Sequence, residues 1–309
     1  MIESEIRKDY FLDRYVIIAP KRSKKPKKTL IKRDVLSDSE CFFCRPQVDD
    51  PQKQIQIKDY KVKKREWEVK VIGNLYPALT LDNLRAYGEQ EIVIETPKHG
   101  IEIHELSLDH IVRIIDVYID RYKYLKKTPG ICHTQIFKNE GGRAGASIPH
   151  THSQIISLPM VPPKVLKESL AINSYIDKTG SCPHCDIIKS ESGGPRAILD
   201  DGHFFVLAPY ASESPYGAWF MPKRHINSIE QLNKAEKMSL AKALKKILSK
   251  LDEIDVSYNY FIQNSVDDFD HHMLIKLAPR PNVWAGLELG TGVIINSVTP
   301  EEAAKFYKK

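Results

Sequence analysis

The sequence contains the same ordered set of potential metal ligands twice. Each set starts with a Cys-x-x-Cys pair, continues with a histidine shortly after a Pro-Lys dipeptide, and ends with a histidine on a later segment. The two sets are Cys41, Cys44, His99 and His150, and Cys182, Cys185, His225 and His272. Cysteine and histidine are the usual ligands of tetrahedral zinc. The repeat therefore favours two zinc sites per chain over histidines that only pack or hydrogen-bond, and it predicts two similar halves.

The segments between the ligands follow one order in both halves. A helical apolar periodicity covers 107–126, and a second one follows Asn233, which forms a predicted capping box with Glu236. A strand pattern, a loop and the histidine-bearing strand come after each helix. This order predicts an α+β protein of two tandem halves, residues 1–160 and 161–309, each an antiparallel sheet with a packed helix.

The two halves differ beside the last histidine. If "HTHSQIISL" is a strand, then His150, His152 and Gln154 lie on one face, because side chains alternate along a strand. The corresponding positions of the second half hold Leu274 and Lys276. Both halves thus keep a metal histidine, and only the first half keeps a polar pair beside it. We infer that His152 is the functional residue.

The chemistry of this pair points to phosphoryl groups. A neutral imidazole that binds no metal is a competent nucleophile near pH 7, so His152 is the predicted nucleophile. Gln154 neither gains nor loses a proton, so it is better suited to holding phosphoryl oxygens than to activating water. Upstream, 139–150 contains three glycines and Ser147, whose backbone and hydroxyl groups are suited to contacting phosphates.

Composition limits the location and the partners. The chain has 309 residues, a formal charge of +6 and no apolar run long enough for a membrane span, and its first residues are highly charged, so we expect a cytoplasmic protein without a membrane partner. The basic segment 21–28 is consistent with a solvated loop or an anion contact. The fifth cysteine, Cys132, is predicted to be a buried small apolar residue.

A group of residues around the second metal histidine resembles the active-site signature of galactose-1-phosphate uridylyltransferases, a branch of the histidine triad superfamily. Its members here are Asn139, Gly145, Ser147, Pro149, His150, His152 and Gln154. The resemblance extends over nearly the whole chain, including "VIGNLYPAL" and "GLELGTGVIINSVTPEEAA". The Thr151 between the histidines and the ending "GTGVIIN" are closer to the ADP-glucose phosphorylase relatives.

The resemblance implies a ping-pong mechanism, most simply the exchange between UDP-glucose and galactose 1-phosphate. His152 would attack the α-phosphorus of a nucleotide sugar and form a nucleotidyl-histidine, which a second phosphate then attacks. The second half would supply a structural metal site and part of the sugar pocket, and the family implies a homodimer. The implied substrate contacts are Gln154, Ser147 and Arg22 for phosphates, Asn74 and Asn139 for the nucleotide, and Glu288 for the sugar.

Three other functions compete with this interpretation. Within the superfamily, an ADP-glucose phosphorylase or a dinucleoside polyphosphate phosphorylase or hydrolase would share His152 but use other substrates. The glutamine two residues after His152 weighs against hydrolysis. From another class, a non-catalytic zinc protein that binds nucleic acid would account for the Cys-x-x-Cys pairs and the lysine run. The long gaps between Cys and His ligands weigh against it, so we expect no nucleic-acid partner.

Overall fold

The computed structural model describes residues 3–24, 37–63, 66–266 and 269–309. Its α-helices are α1 Leu108–Leu125, α2 Pro163–Thr179, α3 Pro183–Glu191, α4 Lys234–Asp252, α5 Gly286–Thr291 and α6 Pro300–Lys308. Its strands are β1 Glu5–Lys8, β2 Tyr15–Ile18, β3 Gln56–Lys63, β4 Glu66–Gly73, β5 Glu89–Ile94, β6 His133–Glu140, β7 His152–Leu158, β8 Ala197–Asp200, β9 Phe204–Leu207, β10 Ala218–Pro222, β11 Tyr258–Gln263, β12 Leu274–Pro279 and β13 Ile294–Asn296.

One sheet of ten strands runs through both halves of the chain. Its order is β3-β4-β5-β7-β6-β11-β12-β10-β9-β8, and all neighbouring strands are antiparallel. Five strands come from each half, and the halves meet at the β6–β11 ladder, where Phe137 pairs with Phe261. The α+β class with two tandem halves is confirmed. The β6–β11 ladder joins the two predicted sheets into one continuous sheet.

Helices α1 and α4 cover one face of this sheet. The apolar stripes predicted for them are buried in one core shared by both halves, which is the arrangement expected of amphipathic helices on a sheet. Ser107 begins α1 by accepting a hydrogen bond from the main-chain N–H of His110. The predicted capping box of Asn233 and Glu236 begins α4, with both reciprocal hydrogen bonds present.

The opposite face differs between the halves. In the second half α2 covers it, and the Glu168 carboxylate of that helix accepts hydrogen bonds from Lys276 at 2.8 Å and from Gln263. In the first half an apolar cluster built around Trp67, Ile92 and Ile94 covers part of this face and leaves the start of β7 beside a cavity. The described part of the second half therefore has this face covered by α2, whereas in the first half part of the face borders a cavity.

A smaller sheet joins distant parts of the chain. Strand β2 pairs antiparallel with β1 and parallel with β13, so the first described segment is held against the last. Arg7 of β1 reinforces this contact through an ion pair with Glu301 of α6. The segment before the metal ligands is thereby held against the second half.

The prediction that Cys132 is a buried apolar residue is wrong, because Cys132 is exposed. It lies in the segment just before β6, where its main-chain N–H donates to the Leu158 carbonyl at 2.8 Å. Of the basic segment, 25–28 lie outside the described residues. Among the described helices, none combines the length and apolarity needed to cross a membrane.

Candidate active site and metal centres

The four predicted ligands of the first half converge on one point. Their ligand atoms lie within 4.8 Å of one another, and the Cys44 Sγ atom lies 3.3 Å from His99 Nδ1 and 3.4 Å from His150 Nδ1. A tetrahedral zinc with Zn–S and Zn–N bonds of ordinary length separates such atoms by about 3.5 Å. The His150 Nε2–H donates to the Thr96 carbonyl at 2.8 Å, which turns Nδ1 toward the cysteines.

The chemistry of this cluster suits a cation. Burial, together with the neighbouring Cys41 sulfur, raises the pKa of Cys44 to about 12. A positive ion bound between the ligand atoms would favour the thiolate form of Cys44. The donor set and its spacing fit a tetrahedrally coordinated metal ion.

The second half repeats this arrangement. Cys182, Cys185, His225 and His272 also place their ligand atoms within 4.8 Å of one another. The Cys185 Sγ atom lies 3.3 Å from His225 Nδ1 and 3.4 Å from His272 Nδ1, and the His272 Nε2–H donates to the Pro222 carbonyl at 2.7 Å. Both predicted ligand sets are thus brought together, and in the described chain these are the two Cys/His clusters able to hold a metal.

His152 is the first residue of β7 and pairs with Ile94 of β5. Its side chain lies on the sheet face that points away from α1. Its Nδ1 atom is 2.7 Å from the main-chain oxygen of His150. Because a carbonyl only accepts, Nδ1 carries the proton and Nε2 keeps its lone pair. Burial lowers the pKa of His152 to about 4, despite this hydrogen bond. The imidazole is therefore neutral at physiological pH, and the Phe43 ring packs against its edge.

A cavity of about 440 Å³ adjoins His152. Its walls include Asn139, Ser147 and the metal ligands His99 and His150. The Gly-rich loop forms much of one side, and Gly141 is required there because its φ is 77° and a Cβ would lie 2.2 Å from the Ser257 hydroxyl. The cavity thus offers a neutral imidazole, a hydroxyl and a close-approaching backbone to one ligand.

The other predicted contacts lie apart from this cavity. Gln154 follows His152 on the same face, where its Oε1 accepts from Gln90 Nε2 at 3.1 Å. Arg22 is exposed in a short 3₁₀ helix. Asn74 follows β4 and accepts from the Tyr76 main-chain N–H, and Glu288 accepts from the Ala285 main-chain N–H at the start of α5. Within a single chain, none of Gln154, Arg22, Asn74 and Glu288 lines the cavity.

A buried polar network beneath β7 was missing from the sequence-based predictions. Its centre is the fully buried Glu95, which accepts hydrogen bonds from Lys138, Thr151, Ser153 and Tyr118. Lys138, which lies among the buried residues of β6, is the signal that could have revealed this network. A buried ammonium requires an acidic partner.

A second polar chain also went unpredicted, because it crosses from one half to the other. Asn259 of β11 donates to the side-chain oxygen of Asn139 at 2.8 Å and to the carbonyl of Ala144 at 2.8 Å. Arg280 donates to Asn259 at 2.8 Å and lies over the ring of Trp284. The second half therefore supports the Gly-rich loop and Asn139 directly.

Sequence and structure comparisons agree with this geometry. This chain is 31% identical to the ADP-glucose phosphorylase of Arabidopsis thaliana over 99% of this chain and 92% of that protein. It is 27% identical to the galactose-1-phosphate uridylyltransferase of Thermotoga maritima over 97% and 96% of the two chains.

Solved structures give the same result. The crystal structure of the Arabidopsis thaliana ADP-glucose phosphorylase with bound ADP-glucose superimposes with a TM-score of 0.87 at 30% identity, covering 100% of this chain and 99% of that one. A uridylyltransferase structure gives a TM-score of 0.76 at 27% identity, covering 98% and 97%.

The sequence profiles of the family cover most of the chain. The profile of the galactose-1-phosphate uridyl transferase N-terminal domain matches residues 2–162, and the profile of its C-terminal domain matches 170–279. These matches confirm the resemblance and the enzyme class expected from it. The protein therefore belongs to the galactose-1-phosphate uridylyltransferase family of nucleotidyltransferases.

Proposed function

We propose that this enzyme moves a nucleoside monophosphate from a nucleotide sugar to a phosphate acceptor through a covalent nucleotidyl-histidine at His152. The observation that carries the proposal is the state of this imidazole, which is neutral, protonated at Nδ1 and placed beside a cavity of about 440 Å³. Nε2 attacks the α-phosphorus, the bond from phosphorus to the sugar phosphate oxygen breaks, and the sugar 1-phosphate leaves.

The surrounding groups have distinct roles in this reaction. The His150 carbonyl accepts the Nδ1–H of His152 and stabilises the positive charge that the ring acquires in the adduct. Ser147 and the main-chain N–H groups of 139–150 hold the phosphates, Asn139 helps to place the nucleotide, and Gln154 binds the phosphoryl oxygens of the adduct. In the second step the acceptor phosphate attacks the same phosphorus on the side opposite Nε2. The bond from phosphorus to Nε2 breaks, and the free imidazole is restored.

Two donors fit this scheme. UDP-glucose with galactose 1-phosphate as acceptor is the exchange of the family's name, and it was the first expectation from the sequence. ADP-glucose with a phosphate acceptor is supported by a specific observation: this chain is more similar over its whole length to the Arabidopsis thaliana ADP-glucose phosphorylase than to the uridylyltransferase compared with it. The experiments proposed below therefore compare UDP-glucose and ADP-glucose.

We propose zinc as the metal in both clusters, because two thiolates and two imidazoles in a tetrahedral arrangement suit this ion. Zinc in the first cluster would fix His150, whose carbonyl in turn orients His152. The ion would therefore have a structural role. The five cysteines among the described residues form no disulfide, which supports a cytoplasmic location, where cysteines stay reduced.

A homodimer is proposed as the working form. Arg22, Asn74 and Glu288 lie outside the cavity of their own chain, and a second copy is the simplest source of these contacts. Large apolar side chains near two of them support this proposal: Tyr76 is 91% exposed and Leu289 is 73% exposed. Light scattering after size-exclusion chromatography tests the oligomeric state, and a monomer at micromolar concentration would contradict it.

The division of the chain at 160/161 also remains a proposal. The junction of the two family profiles and the five-plus-five arrangement of strands support it. The first half would supply His152 and its neighbours. The second would supply a metal site, the Asn259–Arg280 support and part of the sugar pocket through Glu288.

Isotope exchange tests the proposed reaction. A ping-pong enzyme transfers label from glucose 1-phosphate into ADP-glucose or UDP-glucose when no other acceptor is present, because the nucleotidyl-enzyme is reversed by the released sugar phosphate. We expect exchange with at least one of the two donors. Exchange that requires a second acceptor would contradict a covalent intermediate.

A further inference from the structure

The two residues that flank His152 are bound to one buried carboxylate. Thr151 donates to Glu95 Oε2 at 2.7 Å, and the Ser153 hydroxyl donates to Glu95 Oε1. Ser153 contacts Tyr118 of α1 on the helix-covered face of the sheet, whereas Thr151 and His152 both line the cavity. The Glu95 main-chain N–H also donates to the Thr151 carbonyl at 3.3 Å. The strand is thereby held on both sides of the nucleophile.

A buried ammonium completes this arrangement. The Lys138 Nζ atom contacts Glu95 Oε2 at 2.7 Å, Thr151 Oγ1 at 2.7 Å and the main-chain oxygen of His152 at 3.2 Å. Lys138 and Glu95 have side-chain exposures of 1% and 0%, so the pair is desolvated and its hydrogen bonds are strong. One ion pair therefore holds the main chain of His152 itself as well as both of its neighbours.

The second half of the molecule is an internal comparison. Counting from the last metal histidine, the positions of Thr151 and Ser153 are taken by Met273 and Ile275. Both are buried in the apolar core. The second half nevertheless places His272 in a metal cluster of the same geometry. Hydroxyl groups at these two positions are therefore not needed to build the strand or the metal site.

Lys138 of the first half also has an apolar counterpart in the second half. Phe137 pairs with Phe261 across the central ladder, and the residues that follow them are Lys138 and Ile262. Ile262 lies opposite Ile275 and is buried in the same core. Among the described residues, the Glu95 carboxylate and its hydrogen-bond donors thus belong to the half that carries His152, and the second half builds the equivalent strands with apolar residues at these positions.

We propose that Glu95, Lys138, Thr151 and Ser153 form a clamp that positions His152 for in-line attack, an inference that rests on the nucleotidyl transfer proposed above. These four are positioning residues, since they touch the main chain and the neighbours of the nucleophile and not the reacting atoms. Held in this way, the imidazole keeps Nε2 at attack distance when the phosphorus moves from the leaving oxygen to the ring. A misplacement of about 1 Å is sufficient to slow such a step by roughly 100-fold.

Variants that remove a hydroxyl test the clamp without exposing a buried charge. Glu95→Gln or Lys138→Met leaves its partner unpaired and threatens folding. Thr151→Val and Ser153→Ala each remove one arm of the clamp and nearly preserve the shape. Thr134→Val is the matched control. Thr134 of β6 is also buried, and it bonds to the Ser157 hydroxyl of β7 at 3.1 Å, outside the clamp.

The measurement is the single-turnover rate constant for formation of the nucleotidyl-enzyme, with donor affinity and melting temperature measured in parallel. We expect Thr151→Val and Ser153→Ala to reduce this rate constant by about tenfold or more, with donor affinity within about twofold of wild type. Thr134→Val should lose similar thermal stability and keep the wild-type rate constant. Thr151→Ser, which retains the hydroxyl, should recover most of the rate.

The outcomes separate the two proposals. If wild type forms no nucleotidyl-enzyme with a donor that binds, the proposed function fails. If wild type forms it and Thr151→Val and Ser153→Ala react at the wild-type rate, the clamp is only a structural feature and this inference is overturned. An equal loss of rate in Thr134→Val would also overturn it, because the effect would then follow general destabilisation.

Discussion

The Nδ1 atom of His152 lies 2.7 Å from the main-chain oxygen of His150, so the proposed metal ligand and the proposed nucleophile are linked through one backbone carbonyl. The link selects the tautomer that leaves the Nε2 lone pair free. In the proposed mechanism it connects the first Cys/His cluster to the nucleophile without placing a metal among the reacting atoms. The account therefore predicts that the order of this cluster affects the position of His152.

Replacement of His152 by alanine tests its role as the nucleophile. We expect turnover to fall by at least about 10⁴-fold, with metal content and melting temperature close to wild type, because the side chain faces the cavity and binds no metal. His133→Ala is the matched control, since His133 is a buried histidine at the far end of β6. Steady-state kinetics of both variants measures this difference, and normal turnover by His152→Ala would refute the mechanism.

Gln154→Ala should slow formation of the adduct by about 100-fold, because the variant removes the amide that is proposed to hold the phosphoryl oxygens. Gln135→Ala provides a control on the neighbouring strand, where that amide donates to the Ile262 carbonyl. Single-turnover kinetics distinguishes the two. An unchanged rate constant in Gln154→Ala would remove this residue from the catalytic group.

The two metal clusters should differ in their effect on activity. Cys41→Ala and Cys185→Ala should each reduce bound zinc by one ion per chain and lower the free energy of unfolding by at least about 5 kcal/mol. Only Cys41→Ala frees His150, so it should also abolish adduct formation in protein that remains folded. Metal analysis and adduct formation at low temperature measure both effects. Equal loss of activity in the two variants would contradict a structural role for the second site.

The Glu168–Lys276 pair predicts an acid-sensitive contribution to stability. Burial raises the pKa of Glu168, but the Lys276 ammonium outweighs this effect and lowers the pKa to about 2. A carboxyl group with a lowered pKa stabilises the fold above its ordinary pKa of about 4.5 and loses that contribution as the pH falls toward 2.

Glu168→Gln lacks this titration and serves as the comparison. Between pH 6 and pH 3 the free energy of unfolding of wild type should fall by about 2 kcal/mol more than that of Glu168→Gln. Denaturant unfolding at each pH provides the measurement. Parallel curves for the two proteins would show that the pair makes no such contribution.

Local patterns in the sequence predicted the helices and the chemistry of single positions. The stripes of α1 and α4 and the capping box of Asn233 follow from helical periodicity and short-range hydrogen bonding, so they were predictable. The two ligand sets were predictable for a different reason, because the repeat itself indicates which distant residues belong together. The same repeat distinguished His152, since its counterpart is Leu274.

Contacts that depend on how strands associate were not predictable. Nothing local to Phe137 or Phe261 indicates that they pair, so the single ten-stranded sheet was not foreseen. The Glu95 network joins residues of β6, β7 and α1 to a carboxylate that follows β5, and among them Lys138 gave the one local signal. Cys132 was predicted as buried on its residue type alone, whereas its place in the segment before β6 leaves it exposed.

The mass of the intact protein after mixing with a donor, without any acceptor, tests the central claim most directly. UDP-glucose, UDP-galactose and ADP-glucose are mixed separately with wild type and with His152→Ala, and calorimetry establishes which of them bind. We expect wild type to gain one nucleoside monophosphate from at least one donor, and the size of the gain identifies the base. His152→Ala should gain nothing. An unchanged mass of wild type with a donor that demonstrably binds, or an equal gain in His152→Ala, would contradict a nucleotidyl-histidine at this position.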